Sequence, residues 1–511
     1  MKFTLIALPI KSIGNQLPNL GAIAIAQKAR DLGHEVDLID VIRYRHLNED
    51  IVKEIDMTKP DLIGLSGIIT SYYYFEPLAA LLKKYFPKVP LVVGGGITCA
   101  TDLIEKYTEV DYLIKGEGEN AITELISRLS SGQRLDRGDI PGLFVRAGKG
   151  FSPPAVEQSY PDISNVSFPA YDLYDMDYYI ESSTKNAYRF LKLYPELHKK
   201  VGPAVRFFPV TITRGCPYSC SFCYRLIKKY RHPTIDNAIA HLKTVKERYG
   251  CSGISLLDEL VVADKGWFLE FCDALGDKIP GLYVFSGSGR ANLLTPEIIS
   301  HAKKAGFLRF GCGIESGSQT ILNNLHKQVT VEQNYAAIKL VKDAGIMATC
   351  NFIFGSPGEN KKTLRETEKF IMETLDPRDY AVNLAVAYPG APLFKYAIEK
   401  GLLKKEGIHD YVLNISFGNY PLNFSEFSSG TKLWGEVNLM QSRLKVRFAW
   451  KARDYSLLVD ILLKHLIKEA LYLMYGIAPR AAQYLRSTYD DMRLHAFNRK
   501  LREGLKDDSK K

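Results

Sequence analysis

Twice along this chain an apolar run ends in glycine or a polar turn, gives way to an amphipathic stretch, and is followed by another apolar run. That repeat constrains the fold strongly. Parallel neighbours in a sheet need a crossover, and a helix is its usual form. In the first series, residues 1–145, "FTLIALP", "EVDLIDV", "DLIGLSG", "PLVVGGG" and "DYLI" read as strands. Helical stretches such as "LGAIAIAQKARDLGH", "FEPLAALLKKYFP" and "ENAITELISRL" lie between or after them. The prediction is a doubly wound α/β domain. Such folds bind ligands beyond the carboxyl ends of their strands. Ser66, Gly67, Gly94, Gly95, Gly96, Glu117, Gly118 and Glu119 all fall at such ends and are candidate binding residues.

The second series spans residues 206–400. Its strands are "FFPVTITRG", "GISLLDELV", "LYVFSGSGR", "FLRFGCGIESG", "MATCNFIFGSPGE" and "YAVNLAVAYPG". Six strand–helix units make a partial version of the eight-unit barrel of triosephosphate isomerase type. Residues 146–205 read as a linker rich in proline, serine and tyrosine, with no persistent period. Their aromatic content suits wrapping over a neighbouring domain. Residues 401–511 read as a mainly helical region.

Composition narrows the function classes. A chain of 511 residues with 46% hydrophobic and 24% charged content is a multidomain globular protein. The N-terminus, interrupted by Pro9 and Lys11, reads as a buried first strand rather than a leader. There is no run of about 18 apolar residues, so no spanning helix is expected. Cys99, Cys251, Cys272, Cys312 and Cys350 are scattered, which suits buried thiols in a reducing cytoplasm. The formal charge of +10 is concentrated: residues 441–511 hold 16 Lys/Arg against 8 Asp/Glu. In "LLVDILLKHLIKEALYLMY", Asp460, Lys464 and Lys468 draw one polar stripe on an apolar helix. Burial against another domain accounts for that face. Peripheral contact with an anionic membrane or a lipid substrate is the alternative, with Arg443, Lys445, Arg447 and Trp450 just upstream. No nucleic-acid module accompanies the charge, so no nucleic-acid partner is expected.

The remaining cysteines, Cys216, Cys220 and Cys223, sit together in "RGCPYSCSFCYR" at the exit of the first strand of the second series. A structural zinc site takes four ligands, and His232 and Cys251 are the nearest candidates for a fourth, neither at zinc-ribbon spacing. Iron–sulfur clusters are normally held by four thiolates, so three leave one iron open to another molecule.

This CxxxCxxC loop after the first strand of a partial barrel, with Phe222 just before the last cysteine, resembles the radical S-adenosylmethionine (SAM) superfamily. The resemblance implies a 4Fe–4S cluster on Cys216, Cys220 and Cys223. It implies SAM on the open iron, cleaved by one electron to a 5′-deoxyadenosyl radical, and a closed barrel to shield that radical. It assigns further contacts after successive strands. Asp258 and Glu259 would face the SAM amino end. Ser286 and Arg290 follow, with Arg290 pairing the carboxylate, since a guanidinium fork fits that anion. Glu315 would meet the ribose or methionine part, and Gly355 would let the backbone approach the adenine. No residue is assigned as catalytic.

A doubly wound domain ahead of such a barrel resembles the subclass that binds cobalamin. The first domain is then expected to be a Rossmann- or flavodoxin-like cobalamin-type domain. The nucleotide tail would thread down its sheet, and the corrin would lie on "GLSGIITS" and "VVGGGIT". The DxHxxG motif of histidine-ligating cobalamin proteins is absent; the loop reads "PIKSIGNQLPNLGAI", with no histidine for cobalt. A domain that only shapes the substrate cavity is the alternative.

The resemblance implies an enzyme. A cobalamin-dependent methyltransferase acting on an unactivated carbon or phosphorus uses both domains. A radical SAM cyclase or carbon–carbon coupling enzyme, including a lipid-directed one, is the second reading, and a non-catalytic carrier or sensor the third. The expected partners are a small-molecule or lipid substrate and an electron donor such as flavodoxin or ferredoxin. The expected location is the cytoplasm, with membrane association if the basic C-terminal region makes that contact.

Overall fold

A computed structural model describes residues 1–451 apart from 11–16, 42–48, 134, 136–137, 158, 226, 377 and 416–421. The apolar stripe of 457–475 therefore lies outside the described residues. The first series supplies β1 (Lys2–Ala7), β2 (Glu35–Asp40), β3 (Leu62–Ser66), β4 (Leu91–Gly94) and β5 (Tyr112–Ile114), all parallel. Two further strands, β6 (Leu143–Ala147) and β7 (Gly150–Ser152), extend the sheet antiparallel at the β5 edge. The strand order is β2-β1-β3-β4-β5-β6-β7. The chain reverses its direction of winding between β1 and β3, and that switch point opens a crevice beyond the strand ends.

Local chemistry explains the boundaries. Asn19 caps the helix Leu20–Asp31 by accepting from the Ala22 N–H, and Ala22, Ile23, Ala26 and Ala29 give it a buried face of small residues. Gly33 then stops it with φ +80°, a conformation that favours glycine. Alanines keep this helix close to the sheet, so the space between helix and strands is narrow.

The second series forms β8 (Phe207–Val210), β9 (Gly253–Leu256), β10 (Tyr283–Gly289), β11 (Arg309–Glu315), β12 (Met347–Phe354) and β13 (Tyr380–Leu384). They pair in chain order, all parallel, as one six-stranded sheet. This is the expected partial barrel. Irregularities interrupt the β9–β10 register at Ser286 and the β11–β12 register at Glu315, two positions where the sequence places binding groups.

The 146–205 stretch is more ordered than its composition suggests. It contains the helices Met176–Leu191 and Pro195–Val201. The buried positions of the first, Met176, Tyr179, Ile180, Ser183, Ala187 and Leu191, recur every three or four residues. Serine and tyrosine disguise that period in the sequence. The helix lies on the barrel sheet, with Thr184 Oγ1 accepting from the Phe207 N–H at 2.9 Å and Ser183 Oγ 3.0 Å from Ser255 Oγ.

Residues after β13 return to the first domain. Ala385, Val386, Leu393, Tyr411 and Phe424 share one apolar cluster with Ile6, Leu65, Phe75 and Val93. His409 Nε2 lies 2.7 Å from Glu76 Oε2, and its ring stacks on Tyr107 at 3.7 Å. The helix Gly430–Lys451 then leads into a second unit beginning at Trp434. No helix among the described residues is long and apolar enough to cross a membrane.

Phe207 is fully buried and meets Phe285 edge-on at 5.6 Å, which places it where helix, β8 and β10 join. Phe207→Ala should cost about 3–5 kcal/mol, read as a lower urea midpoint.

Candidate active site

Thr211 to Arg231 leave β8 as a loop anchored at its neck. The Asp258 carboxylate accepts from Ile212 N at 3.2 Å, from Thr213 N, and from Thr213 Oγ1 at 2.6 Å. Burial pushes that carboxyl up to about 6, against the pull of these bonds. Arg214 and Arg231 exchange backbone hydrogen bonds of 2.9 Å and close the loop's base. Gly215 has φ +83°, and a Cβ there would strike the Lys229 carbonyl, so only glycine fits. Farther out, Ser221 N donates to Leu325 O at 2.9 Å and Leu393 N donates to Ser221 O at 2.8 Å. The cysteines therefore sit on a braced turn.

Cys220 is buried, Cys216 is half-buried, and Cys223 is the most exposed of the three. Cys223 is pushed up to about 12 by burial, then by the neighbouring Cys220, Glu259 and Cys216, while Arg225 draws it down. The thiols are close enough to interact. Among the described residues, no three His, Cys, Asp or Glu side chains converge as they would on a single metal ion. Thiolates bound to separate irons of a cluster need not converge. The zinc candidates are engaged elsewhere: His232 stacks on Trp267 at 5.0 Å, and Cys251 is buried with its thiol toward Tyr249 O at 3.5 Å.

The other expected contacts separate into two groups. Asp258 turns into the loop neck, whereas Glu259 is the more exposed carboxylate and is a neighbour of the Cys223 thiol. Burial raises Glu259 to about 7 while Arg225 pulls it down. Gly355, at φ +82°, donates its N–H to Glu359 Oε2 at 2.8 Å. Burial pushes Glu359 up to about 7. Glu315, buried at φ +64°, pairs with the buried Lys327 at 2.9 Å. Lys327 Nζ also lies 5.9 Å from the Phe222 ring, inside the cysteine motif. Ser286 sits at the β10 irregularity, whereas Ser288 Oγ donates to Asp258 O at 2.6 Å. Lys327 and Ser288 were missed by sequence reasoning. The only signal for Lys327 is its nearness to Glu315 in sequence, and for Ser288 its place in "SGSGR".

On the first domain, a cavity of about 300 Å³ runs from the strand ends down the face of the sheet. Gly21, Ala24, Gly64, Ser66, Gly94 and Gly95 line it with small groups, and Phe3, Leu5, Ile25 and Ile122 with apolar ones. A narrow apolar slot at strand ends fits the tail of a large cofactor whose ring lies above. Gly67 and Gly96 do not line the slot. A Cβ on Gly67 would crowd Leu8 and Ser71, and one on Gly95, at φ +86°, would strike the Gly67 carbonyl, so the β3 and β4 loops lie back to back.

Glu117, Gly118 and Glu119 border the same cavity. Glu117 is buried, with Oε1 2.8 Å from Arg214 Nη1 and Oε2 against Arg231 Nη2. Glu119 takes a second contact from Arg214. Burial nevertheless holds the Glu117 carboxyl above its usual range. Arg214 and Ile227, both on the cysteine loop, complete the cavity wall. So does His241, whose Nε2 lies 3.2 Å from Tyr171 OH.

Two family models match the chain: a B12 binding domain over residues 7–126 and the radical SAM superfamily over residues 210–371. An uncharacterized methyltransferase of Pyrococcus horikoshii is 29% identical over 79% of this chain and 84% of its own length. The anaerobic magnesium-protoporphyrin IX monomethyl ester cyclase of Rubrivivax gelatinosus is 28% identical over 63% of this chain, which spans 56% of the cyclase. The cobalamin-dependent S-adenosylmethionine radical enzyme OxsB, solved with aqua-cobalamin bound, shares the fold. The TM-score is 0.68 at 19% identity, covering 97% of this chain and 75% of that one.

Glu117→Gln should destabilise the protein by about 3 kcal/mol, because it removes the carboxylate that pairs with Arg231 and one of the two that pair with Arg214, at a buried position; unfolding midpoints measure it. Burial holds His241 down at about 4. The unfolded chain takes up that proton near 6.5 and the folded chain only near 4. Stability should therefore fall by up to roughly 3 kcal/mol as pH drops through that window. His241→Gln should remove this part of the acid sensitivity in urea titrations at pH 7 and pH 4.5.

Proposed function

We propose that this enzyme, which belongs to the radical SAM superfamily and carries a B12 binding domain at its N-terminus, is a cobalamin-dependent methyltransferase acting on an unactivated carbon or on phosphorus. One observation carries the reading. The slot beside Ser66, Gly94 and Gly95 shares a wall with the cysteine loop through Arg214 and Ile227. A cofactor seated in that slot is adjacent to a cofactor seated on the loop.

Cys216, Cys220 and Cys223 hold the 4Fe–4S cluster in this reading, and the slot takes the nucleotide tail of cobalamin. When bound, these groups supply the electron that cleaves SAM and the methyl group that is transferred. The chain's own residues bind and orient. Glu259 offers a carboxylate to the SAM ammonium, with Arg225 favouring its ionised form. Glu315 and Lys327 offer one acceptor and one donor beside Phe222. Gly355 provides close backbone approach. The braced neck at Asp258 and Gly215 keeps the loop's register. Peripheral to this, the reading includes a small-molecule or lipid substrate and a low-potential donor such as flavodoxin or ferredoxin.

Radical cyclisation without methyl transfer is the second reading, favoured by the 28% identity to the cyclase. Anaerobic reconstitution with iron, sulfide, hydroxocobalamin, dithionite and SAM separates the readings. The wild-type protein should take up cobalamin, seen in its visible spectrum, and form 5′-deoxyadenosine. Cys220→Ala should lose the cluster absorbance and the nucleoside product together while keeping cobalamin. A protein that binds no cobalamin is not the proposed methyltransferase.

A further inference from the structure

Arg290 closes β10 and is only 4% exposed. Its guanidinium lies 3.8 Å from the centre of the Tyr218 ring, between the first two cysteines of the motif. Nη1 points at Cys220 Sγ from 3.5 Å, Nε donates to Asn292 Oδ1 at 3.1 Å, and Nη2 is buried with no partner among the described residues. No carboxylate among the described residues forms an ion pair with it. A buried cation without a counter-anion is costly. The sulfur beside it, once deprotonated, is an anion within hydrogen-bonding reach.

We propose that Arg290 is a positioning residue that hydrogen-bonds the Cys220 sulfur and raises the reduction potential of the cluster on this loop. The proposal rests on Cys220 being a cluster ligand. Reduction adds one negative charge to the cluster. A fixed positive charge and an N–H···S bond in a poorly hydrated site favour the more negative state. Stacking on Tyr218 holds the guanidinium plane in place, so the bond needs little reorganisation when the electron arrives. Nη2 remains free to donate to whatever acceptor the open iron brings alongside. The same side chain then acts on both the cluster and its ligand.

The test is a redox titration of the reconstituted protein without substrate, followed by electron paramagnetic resonance. Arg290→Met should lower the reduced-to-oxidised ratio at a fixed potential at least tenfold, which is 59 mV for one electron. Arg290→Lys keeps the charge but loses the planar fork, so its potential should fall between the two. Tyr218→Phe keeps the ring face and should titrate like the wild type. A role limited to folding the loop would lower iron content and leave the potential of the loaded fraction unchanged. If Arg290→Met takes up no cluster, Arg290→Lys carries the test: a potential below the wild type's supports the bond, and an equal one overturns it. If the Met and Lys variants both load and both match the wild type, the Arg290 proposal fails and the ligand assignment stands. If the wild-type chain itself binds no 4Fe–4S cluster, the ligand assignment fails first.

Discussion

The structure depends on one buried charge network, Glu117 and Glu119 against Arg214 and Arg231. Glu117 and Glu119 belong to the turn and helix start after β5, whereas Arg214 and Arg231 form the two sides of the cysteine loop's base. Burial works against Glu117 so strongly that two guanidinium groups do not bring its carboxyl down to the usual range. A group held at that cost adds little net stability. Its effect is geometric, because a shift of the first domain against the barrel would leave buried charges without partners. Each domain's strand ends therefore face the other across a fixed gap.

The loop that spans this gap is braced from several parts of the barrel. Asp258 holds its neck, Leu325 and Leu393 hold its middle, and Arg290 stacks on Tyr218. Lys327 is flanked by His326 at φ +51° and Gln328 at φ +53°, and its partner Glu315 has φ +64°. Left-handed backbone at non-glycine residues is unfavourable. Three such residues around a single buried ion pair mark a place where surrounding packing overrides local preference, as it often does near chemistry. The apolar cluster shared by the β13 exit and the first domain completes the frame from the far side.

Much of the fold was legible in the sequence, and the reason is periodicity. Each of the six barrel strands and five of the seven strands of the first sheet could be read as an apolar run bounded by glycine or polar turns. The hairpin β6–β7 was harder, because the edge strand β7 is three residues with one apolar side chain and β6 runs straight into a stretch with no persistent period. The helix Met176–Leu191 was harder still, because serine and tyrosine fill part of its buried stripe. The site divided in the same way. The cysteine motif is local and was visible directly. The difference between Asp258 and Glu259 was not, since adjacent carboxylates look equivalent until the backbone sends one inward and the other outward. Lys327 gave almost no signal, because a lone lysine in a sequence resembles a surface residue.

The sequence by itself determined the order of strands and helices, the cysteine spacing and the clustering of polar and glycine residues at strand ends. These depend on neighbours close in the chain, through side-chain period and backbone conformation. Tertiary structure alone decided that Glu117 reaches Arg214, that Arg290 points at a sulfur and that the slot of the first domain opens against the cysteine loop. The first two of those contacts join residues 97 and 70 positions apart. Their energies come from burial and from charges brought together out of water, which no local pattern encodes.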